Sequence, residues 1–125
     1  CVGFAEELVT RGQLVVGLRE AGANGWVVWL VSSVLFAALH GINVLFGQSR
    51  QSTATQVVMT FFAGTAFYVT LLATGSLLVG MALHALWDLA TLGLLATGGK
   101  QRPVAGFIGL GAFALATGAM VVILI

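Results

Sequence analysis

Glu6-Glu7-Leu8-Val9-Thr10-Arg11 sets two carboxylates and a guanidinium within six residues of otherwise apolar sequence. On a helix Glu7 and Arg11 stand at i,i+4 and can pair, while Glu6 points about 100° away and has no partner of its own on that helix. A carboxylate left unpaired in this way is suited to act as a general base. Spacing alone equally allows both glutamates to sit at a water interface. Phe36-Ala37-Ala38-Leu39-His40 places an aromatic ring and an imidazole on one helix face. A histidine in such a segment needs a hydrogen-bond partner, and taken singly it is more often a packing residue than a catalyst. His84-Ala85-Leu86-Trp87-Asp88 repeats the i,i+4 spacing with an imidazole and a carboxylate. The bland interpretation is a polar pair that satisfies itself inside a helix bundle; the chemical one is an imidazole oriented for catalysis.

The elements that carry these groups are hydrophobic. Of 125 residues, 59% are hydrophobic and 7% charged, and four acidic and five basic side chains could not cover the surface of a small soluble domain. The fold class expected is all-α: a polytopic transmembrane bundle of about five helices, since a hydrocarbon core takes roughly 20 apolar residues per helix. Four spans are marked by composition and by turn or charge signals between them: Trp26–Phe46, Ala54–Thr74, Leu77–Ala96 and Val104–Ile125, with Pro103 suited to the first turn of the last. Residues 1–20 form a fifth element that reads as the end of a buried helix. Small residues, among them Gly64, Ala66, Gly80, Ala82, Gly109 and Gly111, suit close helix contacts in lipid.

A net charge of +1 and a single cysteine exclude a basic nucleic-acid face and a disulfide framework. No methionine starts the chain and no signal peptide precedes Cys1, so the expectation is one transmembrane domain over residues 1–125 that lacks N-terminal helices. The loops put Arg50, Lys100 and Arg102 on one side and Arg19, offset by Glu20, on the other, which makes the first side cytoplasmic by the positive-inside bias. Counted at about 1.5 Å per residue, Glu6, His40, His84 and Asp88 fall at bilayer depth and toward one layer. Ionisable groups there cost on the order of 3 kcal/mol each on insertion scales, and they usually have work to do.

The order EExxxR, FxxxH, HxxxD on successive hydrophobic helices resembles the CPBP family of intramembrane endopeptidases, which takes in type II CAAX prenyl proteases and bacterial homologues linked to bacteriocin processing and immunity. The motifs are Glu6-Glu7 with Arg11, Phe36 with His40, and His84 with Asp88, and they cover residues 1 to about 90. The resemblance implies a multi-pass membrane protein, in bacteria of the plasma membrane, that hydrolyses a peptide bond of a peptide or protein substrate, prenylated in the CAAX case. It implies that Glu6 and His40 activate a water and that His84 with Asp88 stabilises the oxyanion, with Glu7, Arg11 and Phe36 in support. The resemblance fixes no cofactor and leaves a metal open. Zinc on Glu6, His40 and His84 is the metal alternative, although HExxH is absent and the family resembles a glutamate mechanism as much as a metallopeptidase. Two departures stand out. Thr10 replaces a frequent aromatic, which is expected to alter packing and not chemistry. Asp88 replaces a frequent asparagine, so it either stays protonated or orients His84.

Three other readings compete. Bis-histidine ligation of a haem by His40 and His84 leaves the carboxylates and Arg11 without a task. A proton or ion carrier would use the same buried groups, but no inverted repeat is evident. A family member that binds without cutting, as an immunity protein would, carries the same motifs. Neither a GxSG nor a GxGD sequence occurs, against serine and aspartyl intramembrane proteases.

Overall fold

The computed structural model describes residues 2–96, with side chains through residue 89. All its regular elements are helices. The first runs as one rod in three parts: α1 (Val2–Glu7), a π-helical stretch (Leu8–Leu14) and α2 (Val15–Glu20). After a turn come α3 (Gly25–Leu39), continued by a 3₁₀ segment (His40–Phe46), then α4 (Arg50–Thr74) and α5 (Leu77–Ala96).

Local chemistry explains most boundaries. Asn24 caps α3 through Oδ1, which accepts from the Val27 N–H, and Ser49 caps α4 in the same way through Ser52. The Ser49 cap moves the start of α4 from the expected Ala54 to Arg50, because polar residues 50–53 extend the helix by a turn. Gly75 ends α4 with φ +64°, a left-handed conformation that glycine takes without penalty, and α5 starts two residues later. The expected span over residues 26–46 divides at His40. There the backbone tightens to i→i+3 bonding and the His40 N–H turns to the Ala37 carbonyl.

Gly25–Phe46 and Arg50–Thr74 are long and apolar enough to cross a membrane, and Leu77–Leu89 is a shorter apolar stretch. The expected span Val104–Ile125 lies outside the described residues, as do Gly109 and Gly111. Four helical rods are therefore described where about five were expected.

α4 packs along α3 and also against α5, and α1 lies on α5. Ala63, Gly64 and Ala66 give α4 a thin buried face for this. Ala82 was expected to serve close packing as well, but it is exposed. One apolar cluster joins Val15, Val28 and Tyr68; a second joins Phe36, Ala63 and Phe67. The distribution of polarity is inverted relative to a soluble domain. Glu7, Thr10, Arg11, Ser32, Ser33, Thr53 and His84 are buried, while Leu30, Val34, Leu35, Leu39, Val58, Leu78 and Leu86 face outward. Such a surface is matched to lipid.

Candidate active site

The π-helical stretch begins directly after Glu6-Glu7 and carries Thr10 and Arg11. Turns of this kind are rare and often occur at functional sites. Glu7 is fully buried, and Arg11 Nη1 lies 3.3 Å from its Oε1. Arg11 is held on several other sides. Nη1 donates to Thr10 Oγ1 at 2.6 Å, Nη2 donates to the Gly64 carbonyl at 2.6 Å, and the guanidinium lies 4.2 Å from the centre of the Phe36 ring. Gly64 is what lets α4 come this close. A Cβ there would stand 2.9 Å from Arg11 Nη2 and 3.0 Å from Phe36 Cδ1.

His84 of α5 is the hub of the carboxylates. Nδ1 is 3.1 Å from Glu7 Oε1, while Nε2 is 3.5 Å from Glu6 Oε2 and 3.7 Å from Asp88 Oδ1. A carboxylate accepts, so Nδ1–H donates to Glu7; this bond fixes the ring and turns Nε2 toward Glu6 and Asp88. Phe67 stacks on the imidazole at 4.7 Å and 16°, and Phe36 meets it edge-on at 5.6 Å. The burial gradient is steep: the side chain of Glu7 is 0% exposed, that of Glu6 23% and that of Asp88 39%. Glu7 is thus locked away and Glu6 stands at the accessible rim.

His40 joins this cluster indirectly. Its Nδ1 lies 2.9 Å from the Phe36 carbonyl, which only accepts, so Nδ1 is the protonated nitrogen and Nε2 the basic one. The 3₁₀ tightening at His40 permits this bond by directing the backbone N–H elsewhere. The Phe36 ring stands 5.2 Å from the His40 ring and 5.6 Å from that of His84, so one aromatic side chain touches both imidazoles. The structure therefore gathers Glu6, Glu7, Arg11, Phe36, His84 and Asp88 around one point and sets His40 beside it.

Among the described residues, no three His, Cys, Asp or Glu side chains are placed to hold a metal ion.

Three contributors were not singled out from sequence. Phe67 had no motif to mark it. Thr10 was read as packing alone, yet its hydroxyl contacts Arg11 and the Glu6 carbonyl. Gly3 lies three residues before Glu6, and a Cβ on it would stand 3.0 Å from His84 Cδ2 and Cγ and 3.2 Å from Asp88 Oδ2. Its only sequence signal is a small residue one helical turn from a polar cluster. Gly3→Ala is expected to lower stability by about 1–3 kcal/mol, the cost of overpacking a tight contact, and to lower any activity that depends on His84. Thermal unfolding in detergent checks this, and an unchanged melting temperature would show that α1 and α5 separate easily.

The family model for type II CAAX prenyl endopeptidase Rce1-like proteins matches residues 1–90, the stretch that holds every one of these side chains. Neither a curated protein nor a solved structure matches the chain.

Proposed function

Since the chain belongs to the Rce1-like family of type II CAAX prenyl endopeptidases, we propose that it cuts a peptide bond within or near the membrane, with Glu6 as the base that activates water. The observation that carries the assignment is the contrast between the two adjacent glutamates. Glu7 is buried against Arg11 and His84 Nδ1, whereas Glu6 is partly exposed and faces the nitrogen of His84 that Glu7 does not hold.

In this reading Glu6 takes the proton of the attacking water, and His40, beside the Phe36 ring, helps to orient it. The carbonyl oxygen of the scissile bond becomes an oxyanion as the new C–O bond forms. His84, as an imidazolium anchored through Nδ1 to Glu7, donates Nε2–H to it, and Asp88 keeps the ring aligned. Collapse of the tetrahedral species breaks the C–N bond, and Glu6 returns the proton to the leaving amine. No step needs a metal. The substrate class proposed is a peptide or protein segment at the membrane, with a prenylated C-terminal tail as the leading member. The setting proposed is a bacterial plasma membrane.

The test is cleavage of a panel of quenched fluorescent membrane peptides, one of CAAX type, by the detergent-purified protein. Cleavage that persists with a chelator is expected. Loss of cleavage with chelator and its return with zinc would replace the glutamate mechanism by a metal one. No cleavage of any peptide by the folded protein would favour a member that binds without cutting.

A further inference from the structure

The hydroxyl of Thr10 ties the backbone of the proposed base to the buried guanidinium. Its Oγ1 donates to the Glu6 carbonyl at 2.6 Å and accepts from Arg11 Nη1 at 2.6 Å. A threonine hydroxyl has one proton and two acceptor lone pairs, so both bonds form at once. The residue is 2% exposed, so its hydroxyl is held away from bulk solvent. Arg11 in turn is fixed to α4 by the Gly64 carbonyl and to α3 by the Phe36 ring. The chain of contacts therefore runs from α3 and α4 through Arg11 and Thr10 to the main chain of Glu6. It crosses the start of the π-helical stretch, where regular α-helical bonding gives way and the peptide of Glu6 most needs an outside restraint.

We propose that Thr10 is a positioning residue, whose hydroxyl sets the place of Glu6 relative to His84 by coupling the Glu6 carbonyl to Arg11. The inference rests on the reading of Glu6 as the base. An aromatic residue at position 10 could not make this pair of bonds at this range, so the replacement noted in the sequence changes how the base is held and not packing alone. Thr10 also lines an apolar groove of about 380 Å³ between the first rod and α3, with Val9, Leu14, Leu35, Ala38, Leu39 and Ile42. Valine at this position keeps the branched shape and the apolar wall of that groove while deleting the hydroxyl.

Thr10→Val is expected to lower kcat roughly ten- to a hundredfold, the scale of a misplaced reacting group, with KM little changed, and Thr10→Ser is expected to restore kcat. A structural role alone would move neither the division between kcat and KM nor the rescue. Should Thr10→Val not purify as folded protein, Thr10→Ala and Thr10→Ser make the same comparison, with serine expected at the wild-type rate and alanine below it. A double-mutant cycle of Thr10→Val with Arg11→Lys, read by thermal unfolding, tests the link without any substrate, and non-additive shifts are expected. Wild-type kcat in Thr10→Val and Thr10→Ala, or additive shifts in the cycle, would overturn the proposal. Cleavage that survives Glu6→Gln would instead overturn the base assignment, and the cycle would still decide whether Thr10 is coupled to Arg11.

Discussion

Glu6→Gln lowers kcat by roughly 10²- to 10⁴-fold and leaves the unfolding temperature close to that of the wild type; this is the largest effect on activity that the site predicts. Glutamine keeps the size of the side chain and an oxygen that faces His84 Nε2, but it has no proton affinity to offer a water. Glu6 is partly exposed at the rim, so loss of its charge costs little in folding. The matched comparison is Glu7→Gln. Its carboxylate is buried against Arg11 and His84 Nδ1, so this variant is expected to lose stability and to displace His84. Peptide cleavage and thermal unfolding of the two variants side by side decide the assignment. A near-normal rate in Glu6→Gln beside a dead but stable Glu7→Gln would exchange the roles of the two residues.

Arg11→Met is expected to destabilise the protein by about 3–5 kcal/mol, since it removes the cation from a buried pair and leaves Glu7 charged in an apolar interior. Methionine retains much of the length and apolar stem of arginine, so the loss reports mainly on charge and hydrogen bonds. The affected contacts are those to Glu7, Thr10, the Gly64 carbonyl and the Phe36 ring, which tie the first rod to α3 and α4. Combining Arg11→Met with Glu7→Gln removes both charges and should recover part of the loss. Denaturation of the four proteins of this cycle in one detergent measures the coupling. A loss below about 1 kcal/mol for Arg11→Met would mean that the pair does not anchor the fold, against the expectation for a buried ion pair.

The candidate motifs were legible because lipid makes charge conspicuous. In a chain with so few ionisable residues, Glu6, Glu7, His40, His84 and Asp88 stand out against apolar neighbours, and i,i+4 spacing already allowed the Glu7–Arg11 and His84–Asp88 contacts. The helix over residues 77–96 also coincides with its expected bounds, since Gly75 and a run of apolar residues mark its start. Boundaries were less legible where side chains act on the backbone. The Ser49 cap lengthens α4, and the division of the second span at His40 depends on where that residue directs its N–H and its imidazole.

What the sequence alone determined is the class of the protein and the roster of its reactive groups, because hydropathy and helical periodicity are local properties that each segment carries by itself. What only the tertiary structure decided is how those groups are shared out. His84 faces both glutamates, one through each nitrogen, and Phe36 touches both histidines. Gly3 and Gly64 gain meaning only from the side chains that approach them. Thr10, which looked like a change in packing, bonds both the Glu6 carbonyl and the Arg11 guanidinium. The physical reason is common to all of these. Periodicity tells which face of a helix a side chain occupies, while its partner across the bundle depends on how far one helix is rotated and shifted against the next, and no single segment encodes that.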